Sequence, residues 1–179
     1  MTTSAEIVSA ASAAIFGRPL VTNIYRSVIV EAIVATALPE WEWCSSDYAP
    51  YDFTRNNIRL EVKQSAIRQT WSTARFSRPS WDIAPKTGYW LNGITWVPAP
   101  GRNADLYVLA LHSITDERAD HRDPSQWLFY VAPAACLPET KRIGLRAVEK
   151  LASAVSVQQL STRVEEIVAL IKKIANLHD

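Results

Sequence analysis

Apolar positions near the N-terminus recur at helical spacing. Ser4 to Phe16 carries them as one amphipathic stretch, ended by Gly17 with Pro19 beyond, and predicts a first helix. A second helix is expected to open near Thr22 or Asn23 and to stop before Pro39. Its apolar residues (Ile24, Val28, Ile29, Val30, Ile33, Val34) run almost all the way round, which predicts burial. Glu31 is its only internal acid. On a 3.6 period it lies between Val28 and Ala35, on the side of Ile24. It is either a rim carboxylate with its head in water or a buried acid aimed at a polar site.

Period-2 patterns follow. Trp41–Ser45 alternates weakly, and Tyr51–Thr54 with Ile58–Gln64 reads as a hairpin around Asn56-Asn57. A short helix is expected from Ser65 to about Thr73, then an irregular region over 75–103 punctuated by proline and glycine. Trp81, Trp90 and Trp96 within it argue against simple disorder; they anchor the loop or core, or stack on bases. The apolar runs 104–112 and 127–132 read as buried strands joined by a polar loop. Asp105 opens the first of them and either faces a site or fixes the strand start. Ser156 with Gln159 resembles a capping box, and the spacing Leu160, Val164, Ile167, Val168, Ile171, Ile174 carries a helix almost to the C-terminus. The expected architecture is one α/β domain over 1–179. A mixed sheet flanked by helices occupies about 24–132, with a C-terminal helical extension over about 143–177.

Composition narrows the picture. The chain of 179 residues is 48% hydrophobic, enough for a sizeable core. Cys44 and Cys136 are far apart and form no CxxC, which argues against a zinc site or a disulfide framework and fits a reducing, cytoplasmic location. The N-terminus lacks a basic leader region, and no apolar run approaches the roughly 18 residues of a membrane span. Net charge is only +1, but residues 55–102 hold eight basic side chains against two acidic ones. Such a block attracts a polyanion or is simply a solvated surface. Neither His112, His121 nor His178 has zinc-ligand spacing, and Ser27 and Ser65 have no evident His-Asp partners.

The hairpin carries the candidate chemistry. With Asn56-Asn57 as the loop, Arg55 pairs with Ile58, Phe53 faces Leu60 and Asp52 faces Glu61. Lys63 falls on the same face two residues on. Opposed carboxylates repel, so a divalent cation or the lysine ammonium is needed to compensate them. Hard cations such as Mg2+ take one or two carboxylates with waters and phosphate oxygens, and the Val62 carbonyl offers a third protein oxygen. Metal, water, lysine and phosphate together suit phosphodiester hydrolysis. The opposing reading is a surface hairpin with a salt-bridged Asp/Glu/Lys cluster.

Asp52 followed nine residues later by Glu61-Val62-Lys63 on the next strand resembles the PD-(D/E)xK nuclease superfamily, over roughly residues 24–132. Tyr51 stands where the motif's proline would be, with Pro50 one place earlier. The resemblance implies a restriction-endonuclease-like fold. By it, Asp52 and Glu61 are metal ligands joined by Val62, Lys63 is catalytic, Glu31 on the preceding helix is supporting, and Gln64 is the polar residue after the lysine. It further implies Mg2+, with Mn2+ as substitute, and DNA as substrate; dimers are common in that superfamily, so a homodimer is compatible with it. The basic block supplies candidate backbone contacts at Arg55, Arg59, Gln64, Arg68, Arg75, Arg78 and Arg102. The alternative is a nucleic-acid-binding or assembly protein that keeps the fold without turnover, and a third is a protein with no nucleic-acid role.

Overall fold

A computed structural model describes residues 2–44, 49–70, 76–91 and 93–176. In chain order the elements are α1 (Ser4–Phe16), α2 (Arg26–Ala37), β1 (Glu42–Trp43), β2 (Phe53–Arg55), β3 (Ile58–Ala66), β4 (Ser80–Asp82), β5 (Lys86–Leu91) and β6 (Thr95–Gly101). Then come β7 (Leu106–His112), β8 (Trp127–Pro133), β9 (Arg142–Gly144), α3 (Leu145–Leu151) and α4 (Val157–Ala175).

The hairpin turn forms as the sequence predicts. Asn56 and Asn57 sit at φ 49° and 65°, the left-handed pair that a two-residue turn of this hand requires and that asparagine tolerates. Arg55 pairs with Ile58, Thr54 with Arg59 and Phe53 with Leu60. β3 then continues well past β2 and pairs in parallel with β7, from Leu60↔Leu106 to Ala66↔His112. β7 pairs antiparallel with β8, giving a five-stranded mixed sheet in the order β1-β2-β3-β7-β8.

Alternation along β7 divides the interior into two halves. Leu106, Val108 and Ala110 join Leu60, Val62, Phe129 and Val131 beneath α2 and α4, which contribute Ile29, Val30, Ile33, Val34, Leu160 and Val164. Tyr107, Leu109 and Leu111 pack on the other face with Trp81, Ile83, Ile143 and Val148. Full burial of each such aliphatic side chain contributes about 1.5–3 kcal/mol, so both faces of β7 hold the domain together.

Several expectations need correcting. α2 opens at Arg26 and not at Thr22 or Asn23. Ile24 lies outside it at 77% exposure, and Val28 is also exposed, so burial is confined to one face. The helix expected from Ser65 is absent through Thr70, because β3 extends to Ala66 to complete its pairing with β7; Trp71–Thr73 lie outside the described residues. The region 75–103 is largely strand. β4 pairs with β9, and β5 with β6 forms a separate hairpin whose turn uses Gly93 at φ 68°. Residues 142–144, at the head of the expected helical extension, are strand β9. Trp81 is core, donating from Nε1 to the Ala110 carbonyl at 3.0 Å, whereas Trp90 and Trp96 pack edge to face on the exposed hairpin. His121 is fully buried in its polar loop, against His112 and Trp127.

The terminal helices form close to expectation. Ser156 N–H donates to the Gln159 side chain at 3.1 Å, completing the box at the start of α4. α1 buries none of its residues; it is tethered at Phe16, whose ring meets Tyr25 and whose carbonyl accepts from Arg122 at 2.5 Å.

Candidate active site

β3 outruns β2 after Leu60, so the β2-side edge of residues 62–66 has no strand partner among the described residues. A cavity of about 620 Å³ opens along it, with Glu31, Asp52, Val62, Lys63, Gln64 and Asp82 among its walls. A smaller one of about 340 Å³ adjoins it and is lined by Glu61, Lys63, Asp82, Lys86 and Tyr107. Lys63 and Asp82 belong to both.

Asp52 reaches this edge by leaving the ladder. It lies at a bend, and its N–H donates to the Leu60 carbonyl at 3.0 Å, so it is not the in-register partner of Glu61 that the turn count implies. Its Oδ2 instead accepts from the Val62 N–H at 2.7 Å, a side chain standing in for the missing strand. The Val62 carbonyl projects to the same edge, since a strand residue points its N–H and C=O the same way. Glu61 remains close enough for its charge to act on Asp52. The Asp52 carboxyl is pushed up to about 7, chiefly by burial and then by Glu61, against the pull of the Val62 hydrogen bond and Lys63.

Glu61 and Lys63 share the face of β3 away from α2, as their spacing predicts. The Glu61 side chain is only 4% exposed; Oε1 takes a hydrogen bond from Lys63 Nζ and has Lys86 Nζ at 3.6 Å. Burial acts to lower the pKa of Lys63, but the attraction of Glu61, its hydrogen bond and Asp52 outweigh it, so the ammonium is held above its ordinary value. Glu31 approaches from α2, half-buried, with Oε2 accepting from Trp43 Nε1 at 3.0 Å. Burial raises its pKa, partly offset by that hydrogen bond and by Lys63. Half-buried and lining the larger cavity, it falls between its two readings.

Among the described residues, no group of three or more His, Cys, Asp or Glu side chains is placed to hold a metal ion. The donor chemistry nonetheless suits a hard dication. Asp52 has one oxygen beyond its bond to Val62, Glu61 has Oε2, and the Val62 carbonyl lies on the open edge. Asp52 and Val62 line the larger cavity and Glu61 the smaller, and carboxylate and carbonyl oxygens are the ligand types that Mg2+ takes. The Asp52 carboxyl is raised first by burial and then by the charge of Glu61, and a bound dication would favour its ionised form against both.

The basic residues expected to contact nucleic acid are dispersed. Arg78 lines the larger cavity, as does Gln64, which accepts from Arg26. Arg55 pairs with Glu165 at 2.7 Å and lies over the Trp41 ring, on the α4 side. Arg59 is clasped by Asp105, which accepts from both its backbone and its guanidinium at 2.8 and 3.1 Å; Asp105 thus fixes the strand start. Arg102 donates to the Ile83 and Pro138 carbonyls at 3.0 and 2.6 Å. Arg68 is half-buried, and Arg75 lies outside the described residues. Sequence reasoning missed Arg26, Asp82, Lys86 and Arg142, which reach the cavities from elements remote from the hairpin. Lys86 and Asp82 sit in the stretch read as irregular, where no periodicity indicates their facing.

No helix among the described residues is long and apolar enough to cross a membrane. No protein-family model and no curated protein matches the chain.

Proposed function

We propose that the chain is a magnesium-dependent nuclease hydrolysing DNA phosphodiester bonds on a restriction-endonuclease-like fold, with Mn2+ as a substitute. The observation that carries this reading is Lys63, which hydrogen-bonds Glu61 and lines both the cavity of Asp52 and the smaller one of Glu61, with the Asp52 carboxyl pushed up to about 7 by burial and by the charge of Glu61. The order of the sheet supports it: a hairpin bearing the acids, a parallel partner strand, and a helix bearing Glu31 beneath.

Asp52, Glu61 and the Val62 carbonyl would hold the metal, which when bound polarises a phosphoryl group and lowers the pKa of water. The protein's own groups do the rest. Lys63, held protonated beside Glu61, orients the attacking water by hydrogen bonding and neutralises charge developing on the phosphate oxygens. With its ammonium so stabilised it is a poor base, and the water's proton passes to solvent or to the substrate phosphate. Glu31, fixed by Trp43, holds water at the α2 wall of the cavity. The Val62 N–H fixes the orientation of Asp52.

A second reading rests on one observation. Glu61 is already neutralised by Lys63 and Lys86, as in a self-compensated salt-bridge cluster, which favours a DNA-binding protein without turnover. A labelled duplex, single strand and four-way junction incubated with Mg2+ or Mn2+ separate the two. Metal-dependent cleavage that falls by about 10²–10³ in Lys63→Ala supports the nuclease. Salt-sensitive binding without cleavage supports the second reading, and unchanged cleavage in Lys63→Ala refutes the site.

A further inference from the structure

Arg26, the first residue of α2, is 6% exposed, yet no carboxylate among the described residues pairs with it. Its Nε donates to Gln64 Oε1, Nη1 to Gln69 Oε1 at 3.1 Å, and Nη2 to Asn23 Oδ1 at 2.5 Å, all neutral acceptors. Among the described residues it forms no ion pair. A guanidinium has five N–H donors, and only these three find acceptors among the described residues. Burying a cation without a counter-ion is costly, and an apolar or amide side chain would fill the position more cheaply. Burial lowers its pKa to about 10, which leaves it charged at neutral pH.

Arg26 belongs to the wall of the same cavity of about 620 Å³ that holds Asp52 and Lys63. Arg78 and Arg142, both exposed, line that cavity too and form no ion pair among the described residues. Ser27 and Ser80 add hydroxyl donors. Arg26 is tied to Gln64, the residue directly after Lys63 on β3.

We propose that Arg26, with Arg142 and Arg78 at the rim, is a phosphate subsite that takes a phosphate of the bound strand other than the one cleaved. This rests on the nuclease reading of the neighbouring acids. The planar fork of a guanidinium matches two phosphate oxygens, and the incoming dianion or monoanion supplies the direct ion-pair partner that Arg26 lacks among the described residues. The phosphate is either a strand-end monoester or an internal diester.

The test is inorganic phosphate binding, followed by thermal shift and titration calorimetry at fixed ionic strength with chloride as control. Phosphate should stabilise the wild type saturably. Arg26→Gln should weaken this roughly 10- to 100-fold, Arg142→Ala less, and Lys63→Ala should retain most of it. If Arg26→Gln does not fold, Arg26→Lys, which keeps charge but loses the fork, serves for the same comparison. Oligonucleotides with phosphate or hydroxyl ends then separate the sources. A preference for phosphorylated ends assigns a strand-end group, and equal binding that remains sensitive to Arg26 assigns an internal one. The proposal is overturned if phosphate acts no differently from chloride on the wild type, if the Arg26 variants bind it unchanged, or if Lys63→Ala alone abolishes binding. Absence of metal-dependent cleavage with phosphate binding intact defeats the nuclease reading and leaves the subsite standing.

Discussion

Asp52→Asn should stabilise the metal-free protein at pH 8 and leave it almost unchanged near pH 4. An asparagine oxygen can still accept the 2.7 Å bond from the Val62 N–H, so the substitution removes charge while keeping the local contact. The sign follows from linkage. The native carboxyl is pushed up to about 7 from an ordinary 3.8, so between those values the folded state holds a proton that the unfolded chain has lost. Stability therefore falls as pH rises through that window, and the loss is complete above it. At about 1.4 kcal/mol per tenfold, the full displacement sets a ceiling of roughly 4 kcal/mol. Asp52 keeps some solvent contact, so a gain of about 1–2 kcal/mol at pH 8 is expected. Urea unfolding followed by tryptophan fluorescence, on both proteins across pH 4–8, measures it. The difference between the two is needed because His121, lowered to about 4 mainly by burial, gives the wild type an opposite slope in the same range. A difference that is flat with pH, or a variant less stable at pH 8, would refute the crowded-charge account of this site.

Four further outcomes follow. Lys63→Ala should cut metal-dependent cleavage by about 10²–10³, with far-UV circular dichroism unchanged because Lys86 still faces Glu61. Mg2+ should raise the melting temperature of the wild type more at pH 8 than at pH 5.5, since protons compete for Asp52, and the effect should shrink in Asp52→Asn; calorimetry in two buffers would register the protons released. Asn57→Gly should be neutral or slightly stabilising, whereas Asn57→Val should cost about 1–2 kcal/mol in urea unfolding, because a β-branched residue resists φ 65°. Trp81→Ala should cost about 3–5 kcal/mol by the same measurement, from the lost packing and the Ala110 carbonyl left without its donor.

What could be read in advance was local. The Asn-Asn turn, the extents of α1 and α4, and the apolar runs of β7 and β8 depend on residues a few positions apart. The spacing of Asp52, Glu61 and Lys63, which marks the proposed site, is local in the same sense. β4 and β9 escaped notice because each is three residues long and finds its partner about sixty positions away. β5 and β6 contain glycine and proline, yet Gly88 is what lets the Trp96 ring lie against its strand, where a Cβ would stand 2.6 Å from that ring. The burial of Arg26 depends on amides 38 and 43 residues downstream, and no period along α2 reveals it. Asp52 leaving the ladder is likewise a matter of one side chain replacing a backbone partner.

The parallel pairing of β3 with β7 also sets an order of events during synthesis. Glu61 and Lys63 flank Val62, whose neighbour across the sheet is Val108, so the scaffold beneath the acids spans a long intervening chain. A nascent chain that has emerged only through Ala66 carries every residue of the hairpin but lacks the strand that flattens and buries it. Joining such distant segments is entropically slow compared with closing a two-residue turn. On the proposed nuclease reading, any cutting power would therefore wait for the emergence of β7 and not appear with the hairpin alone.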